Sequence, residues 1–70
     1  MENENTLQAK DLDQQGVALF RAGNVEAALE KYQQAMDIEP MLADSYRNMG
    51  DLYLATEKYQ DAKNYYKKAL

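Results

Sequence analysis

The sequence contains no cysteine, no histidine and no tryptophan, and its 70 residues include one proline and three glycines. Without cysteine and histidine the chain has no disulfide, no thiol nucleophile and no imidazole base, and a tetrahedral zinc site is excluded as well. Chemistry is left to hydroxyls, carboxylates and amines, which form no catalytic constellation in this sequence. We therefore expect a binding or assembly module rather than an enzyme, without a metal ion or a cofactor.

Positive charge is also scarce, with 8 Lys and Arg against 12 Asp and Glu and a net charge of −4. Because clustered Lys and Arg supply most of the affinity for phosphates, this balance argues against a nucleic-acid partner. The polar first residues lack the basic and apolar parts of a secretion signal, and no apolar run is long enough to span a membrane. We expect a cytoplasmic protein that does not bind membranes.

The sequence repeats itself with a period of 34 residues. At this offset five residues are identical in the two copies: Ala9 and Ala43, Gly16 and Gly50, Ala28 and Ala62, Tyr32 and Tyr66, Ala35 and Ala69. Most of these are small residues, which allow helices to pack closely. We divide the chain into residues 1–8, a tail with the start of a helix, a first repeat at 9–42, and a second repeat at 43–70 that is truncated at its C-terminal end.

The apolar residues follow a helical spacing along the whole chain, with no strand pattern. Gly23 and Pro40 interrupt it, because glycine adopts the left-handed conformation that ends a helix and proline disfavours helical angles in the residue before it. We predict Asn5 as the N-cap of the first helix, a disordered segment at residues 1–4, and a strained left-handed conformation at Glu57, which occupies the position of Gly23 in the second turn. The four predicted helices are residues 7–22, 25–38, 42–55 and 58–70.

Two glycines lie in the middle of predicted helices, where glycine costs stability. Close approach of a second helix would explain both, and we predict Gly16 opposite Ala28 and Gly50 opposite Ala62. Larger side chains fill the remaining space, namely Leu12, Leu19 and Tyr32 in the first repeat and Tyr46, Tyr53 and Tyr66 in the second.

Together these positions resemble the tetratricopeptide repeat (TPR), whose pattern is W-x2-L-G-x2-Y, A-x3-F, P. The matching residues are Leu12, Gln15, Gly16, Leu19, Ala28, Tyr32, Ala35 and Pro40, then Tyr46, Met49, Gly50, Tyr53, Ala62, Tyr66 and Ala69. The resemblance covers residues 9–70. It implies an all-α fold in which two antiparallel helix-turn-helix repeats, four helices in total, stack as a short right-handed α-solenoid.

The resemblance also implies a protein–protein interaction module, which binds a peptide or a partner protein on the concave face lined by the first helix of each repeat. Helical spacing then gives six candidate groove residues: Phe20, Arg21, Arg47, Asn48, Asp51 and Leu54. We predict that Phe20 and Leu54 form an apolar floor and that the arginines and Asn48 make polar contacts. The alternative is an ordinary solvated face, on which Asp13, Asp44 and Asp51 pair with Arg47.

One subset of the family clamps the C-terminal carboxylate of chaperone tails with a Lys and an Asn around the first signature glycine and an Asn before the second. The matching positions here hold Asp13, Val17 and Asn48, and only Asn48 agrees. Asp13 would place a negative charge against the carboxylate. We therefore do not expect binding of chaperone tails.

The last helix suggests a second function, because repeat arrays cover their apolar faces with neighbouring repeats and about three are usually needed for stability. Several residues of this helix would lack a covering repeat: Tyr59, Ala62, Tyr66, Ala69 and Leu70. Three explanations remain open. The chain is a fragment of a longer or engineered repeat protein, a marginal two-repeat monomer, or an assembly element that self-associates through this helix as a dimer, by helix exchange or by stacking of repeats.

Overall fold

A computed structural model describes residues 3–70, and this part of the chain contains four α-helices and no strand. The helices are α1 (Glu4–Arg21), α2 (Val25–Ile38), α3 (Ala43–Ala55) and α4 (Tyr59–Ala69). α1 packs on α2, α3 packs on α4, and α3 also contacts both helices of the first pair. The predicted all-α fold of two stacked helical pairs is confirmed.

The first helix begins earlier than predicted, because Asn3 and not Asn5 is its N-cap. Oδ1 of Asn3 accepts hydrogen bonds from the Thr6 backbone N–H at 2.8 Å and from the Thr6 hydroxyl at 3.0 Å. The same hydroxyl lies 3.3 Å from Oε2 of Glu39 at the end of α2. This cap and this contact with α2 hold residues 3 and 4 in place, so the prediction that they are disordered is wrong. Residues 1 and 2, for which disorder was also predicted, lie outside the described part of the chain.

The turns within the two helical pairs have the same hydrogen bonds. In the first, Gly23 N–H donates to the Phe20 carbonyl at 3.0 Å and Asn24 N–H donates to the Leu19 carbonyl at 2.8 Å. Glu57 and Lys58 make the equivalent bonds in the second turn. These are Schellman motifs, whose central residue is left-handed. Gly23 has φ of 89° and Glu57 has φ of 64°, so the predicted left-handed conformation at Glu57 is confirmed.

The second helix ends before Pro40, as predicted. Its C-cap is Glu39, whose φ of −138° and ψ of 85° are not helical. The Pro40 carbonyl then accepts a hydrogen bond from the Tyr46 hydroxyl at 2.7 Å, which joins the connection to α3. Pro40 therefore ends α2, and its carbonyl is held by a tyrosine of the second helical pair.

The core lies between the helices of each pair and continues across α2 and α3. Its fully buried apolar residues are Ala9, Ala28, Tyr32, Ala35, Met49, Leu52 and Ala62. Of the six large residues predicted to fill it, Tyr32 is 1% exposed and the other five are partly buried. In the second pair the ring of Tyr65 stacks on that of Tyr53, with centroids 5.4 Å apart. Aromatic rings thus contribute to the packing that apolar side chains provide in the first pair.

The two helical glycines face tyrosine rings, a contact that the predicted pairing with alanines did not include. The three atoms nearest to a Cβ placed on Gly16 all belong to the Tyr32 ring, and for Gly50 all belong to Tyr66. Side chains of a helix lean toward its N-terminus, so each tyrosine covers the turn that carries the alanine four residues before it. The glycines therefore make room for these rings.

Candidate functional site

An open groove of about 490 Å³ runs between α1 and α3. Three of the six residues predicted for a binding groove line it: Arg21 on α1, and Arg47 and Asn48 on α3. The full lining consists of Lys10, Asp13, Gln14, Val17, Ala18, Arg21, Asp44, Arg47 and Asn48. Most of the lining residues are polar, and Val17 and Ala18 are the two apolar ones.

The other three predicted residues lie elsewhere. Phe20 is partly buried, packs against the core and does not line the groove. Asp51 accepts a hydrogen bond from the Tyr66 hydroxyl at 2.5 Å, and Leu54 is 49% exposed beside α4. The prediction of an apolar floor made by Phe20 and Leu54 is therefore wrong.

The alternative prediction placed Asp13 on a solvated face, and Asp13 is instead 5% exposed at the contact between α1 and α3. Its Oδ2 accepts a hydrogen bond of 2.8 Å from the hydroxyl of Ser45, which is fully buried. Its Oδ1 is buried and has no hydrogen-bond partner among residues 3–70. A sequence signal for this burial exists, because Asp13 follows Ala9 by four residues and precedes Gly16 by three, on one helical face.

Burial raises the pKa of the Asp13 carboxyl above its ordinary value. The hydrogen bond from Ser45 opposes this rise and the nearby carboxylate of Asp44 adds to it. The Asn48 amide, which lies near the carboxylate but too far or too poorly aligned for a regular hydrogen bond, and the charge of Arg47 lower the pKa again. The groove therefore contains an acidic group whose charged form is only partly compensated. Such groups recur at binding and catalytic sites, although structural networks also produce them.

The arginines of the groove have different surroundings. Arg47 Nη2 lies 3.1 Å from Oδ1 of Asp44, and both side chains are largely exposed, so this pair contributes little stability. Arg21, in the last turn of α1, makes no ion pair with any carboxylate among the described residues. Of the predicted alternative network, only the pair of Arg47 with Asp44 is present in this part of the chain, since Asp13 and Asp51 bind hydroxyls.

A second groove, of about 380 Å³ and mostly apolar, lies along α4. Four of the five residues predicted for self-association line it, together with Leu54, Lys63 and Lys67: these four are Tyr59, Ala62, Tyr66 and Leu70. The fifth, Ala69, is partly buried and does not contribute. Among the described helices α4 contacts α3 alone, so nothing in this part of the chain covers the groove.

The face of α1 that corresponds to the buried face of α3 is more polar than that face of α3. The residues of α3 that are buried against the first pair are Ser45, Met49 and Leu52, and a shift of 34 residues places Asp11, Gln15 and Ala18 at the same positions of α1. These three are exposed, and Nε2 of Gln15 donates to Oδ2 of Asp11 at 3.2 Å. This face of α1 is exposed to solvent, whereas the corresponding face of α3 packs against the first helical pair.

Residues 3–70 contain no group of three or more acidic side chains placed to hold a metal ion. In the same range, no helix has both the length and the apolar character needed to cross a bilayer.

Comparison with known proteins agrees with the geometry. A family model described as TPR repeat matches residues 16–57. The chain is 36% identical to "Tetratricopeptide repeat protein 36" of Danio rerio, in an alignment that covers 79% of this chain and 33% of that protein. The chain thus spans about a third of the relative's length. No solved structure matches significantly. From its period, its helical pairs and these matches, the chain belongs to the tetratricopeptide repeat family.

Proposed function

We propose that this chain binds an extended peptide, or a peptide-like segment of a partner protein, in the groove between α1 and α3. TPR repeats are generally protein-interaction modules and typically not catalytic. The observation that carries the proposal is the groove itself, where cationic, amide and carboxylate groups of two helices converge. Convergent polar groups on rigid helices give orientation and specificity to a bound ligand.

Residues with hydrogen-bonding side chains predominate in the lining of the groove. Arg21, Arg47 and Asn48 offer donors, Asp13 offers an acceptor, and Val17 and Ala18 provide a small apolar surface, all of which line the groove. A peptide backbone presents donors and acceptors along its whole length, so it complements such a surface better than an apolar helix does. The buried hydrogen bond from Ser45 to Asp13 joins α3 to α1 beside the groove.

The experiment is selection of a random 12-residue peptide library, displayed on phage, against the whole chain. Binders are then titrated against Arg47→Ala with Asn48→Ala and against Lys63→Ala with Gln60→Ala, a matched double variant on α4. We expect the groove variant to lose binding and the α4 variant to retain it. Equal binding by both variants, or no binders at all, would contradict the proposal.

A second candidate is assembly through the apolar groove of α4. The equivalent face of α2 is covered by α3, so the occupant that fits is a helix with α3-like apolar spacing. Lys63 and Lys67 border the groove, and they favour acidic residues on the flank of that helix. Stacking of α1 from a second copy fits less well, because its outer face carries Asp11 and Gln15.

Sedimentation equilibrium over a wide concentration series tests self-association, with Leu70→Glu as the comparison. The Leu70 side chain is fully exposed, so the variant should keep its fold. A mass that rises with concentration in the wild type but not in the variant supports self-association. A monomer at every concentration excludes self-association. In that case a titration with a synthetic peptide of residues 43–55, followed by NMR shifts at α4, tests whether a separate helix with the spacing of α3 binds to the apolar groove.

A further inference from the structure

We propose that Asp13 and Arg21 specify the peptide, which places a backbone N–H against Oδ1 of Asp13 and an acidic side chain, three or four residues away, against Arg21. This inference rests on the proposed function and names the chemistry of its ligand. It combines two groups of the α1–α3 groove: among residues 3–70, one is a buried acceptor without a donor and the other is an arginine without a carboxylate.

The acceptor is the first part. Asp13 is 95% buried and its Oδ2 is occupied by Ser45, while Oδ1 has no donor among residues 3–70. A buried carboxylate oxygen without a partner is costly, and a ligand N–H that reaches it removes this cost on binding. The Arg47 side chain in the same groove is 61% exposed, and its one ion pair within residues 3–70 is the surface pair with Asp44, so it can turn aside with little loss.

The arginine is the second part. Arg21 lines the same groove and makes no ion pair with a carboxylate in the described part of the chain. The charge of Arg47 is already matched by Asp44. A carboxylate on the ligand therefore gains most at Arg21, whose planar guanidinium can donate two parallel hydrogen bonds to it.

The spacing follows from helix geometry. Asp13 and Arg21 are eight residues apart on α1, which corresponds to about 12 Å along the helix axis. An extended peptide advances about 3.3 Å per residue, so three to four residues cover this distance. The ligand motif is thus an amide N–H followed or preceded, at that spacing, by Asp or Glu.

The test begins with peptides selected against the wild-type chain. A variant that removes the acceptor is Asp13→Leu with Ser45→Ala, in which the buried polar pair is replaced as a unit so that no group is left unpaired. Ser45→Ala alone is the matched control, since it keeps the Asp13 carboxylate. Arg21→Gln removes the charge at the other end. Circular dichroism and thermal unfolding establish that each variant is folded.

We expect Asp13→Leu with Ser45→Ala to weaken binding about ten- to hundredfold, as loss of a hydrogen bond to a charged group does, and Ser45→Ala to retain it. N-methylation of one peptide amide, three or four residues from the acidic residue, should weaken binding to the wild type but not to the double variant. Selection against Arg21→Gln should lose the preference for Asp or Glu.

The outcomes separate this inference from the proposed function. Peptides that require Arg47 and Asn48, yet bind equally well to the wild type, Arg21→Gln and the variant without Asp13, would overturn the inference and leave the groove as a peptide site. Acidic residues without the predicted spacing would also overturn it. If no peptide depends on the groove, both proposals fail.

Discussion

The ring of Tyr66 lies directly over Gly50, so that a Cβ on residue 50 would stand 2.6 Å from both Cδ1 and Cε1 of the ring. Gly16 has the same relationship with Tyr32, where the corresponding distance to Cδ1 is 2.7 Å. The two pairs are separated by the 34-residue period. They show that each repeat conserves space for an aromatic ring at the cost of glycine in a helix.

Gly16→Ala should therefore destabilise the protein, although alanine is the better helix former by about 0.5–1 kcal/mol. Tyr32 is 1% exposed and has no room to move, so we expect a loss of about 1–3 kcal/mol in the free energy of unfolding. Gly50→Ala should lose less, because Tyr66 is only partly buried and can turn toward solvent. Urea unfolding followed by circular dichroism measures both, and a gain of stability in Gly16→Ala would contradict the account.

Glu57→Gly should stabilise the protein by about 1 kcal/mol, because Glu57 adopts φ of 64° at a position that suits glycine. The matched control is Gly23→Ala in the equivalent turn. A Cβ on Gly23 meets nothing within 4 Å, so any loss in that variant reports the cost of φ of 89° alone. Thermal unfolding of the two variants should shift in opposite directions, and shifts of the same sign would refute this explanation.

The period and the small residues were sufficient to predict four helices, their pairing and both turns, because helix periodicity and turn chemistry are local properties. Gly23 and Pro40 mark boundaries that the structure places within one or two residues of the prediction. The start of the first helix was missed, since Asn3 and Asn5 are equally good caps in sequence. Thr6, which bonds to the Asn3 side chain, also contacts Glu39 at the end of α2, and this contact between the two helices is not visible in the sequence.

The residues that line the groove were harder to predict from the sequence than the helices were. Helical spacing placed Phe20 and Asp13 on the side of the first helix opposite the core, and it gives no information about contacts with the next repeat. The structure places Asp13 inside because Ser45 of α3 supplies a partner from the next repeat, 32 residues away. The ring of Phe20 joins the core instead. Contacts between repeats depend on how the helical pairs stack, and the helical spacing of one helix does not predict this stacking.

Asn3→Ala should destabilise α1 by about 1 kcal/mol, which is typical for the loss of an N-cap. Asn5→Ala is a close control, because Asn5 lies within the first turn and is not the cap. We expect lower helicity and a lower melting temperature only in the first variant. If Asn5→Ala were the more damaging change, the helix would begin where the sequence alone suggested.

Asp13→Asn tests the electrostatic cost of the buried carboxylate through its pH dependence. The pKa of Asp13 is raised in the folded protein from its ordinary value of 3.8, so folding favours the protonated form and the ionised form lowers stability. The wild type should therefore gain stability relative to Asp13→Asn as the pH falls from neutral through the folded-state pKa toward 3.8. Most other titrations are common to both proteins and cancel in the difference. Urea unfolding at a series of pH values gives this difference, and one that is constant, or that favours the wild type more at neutral pH than in acid, would show that burial does not penalise the charge of Asp13.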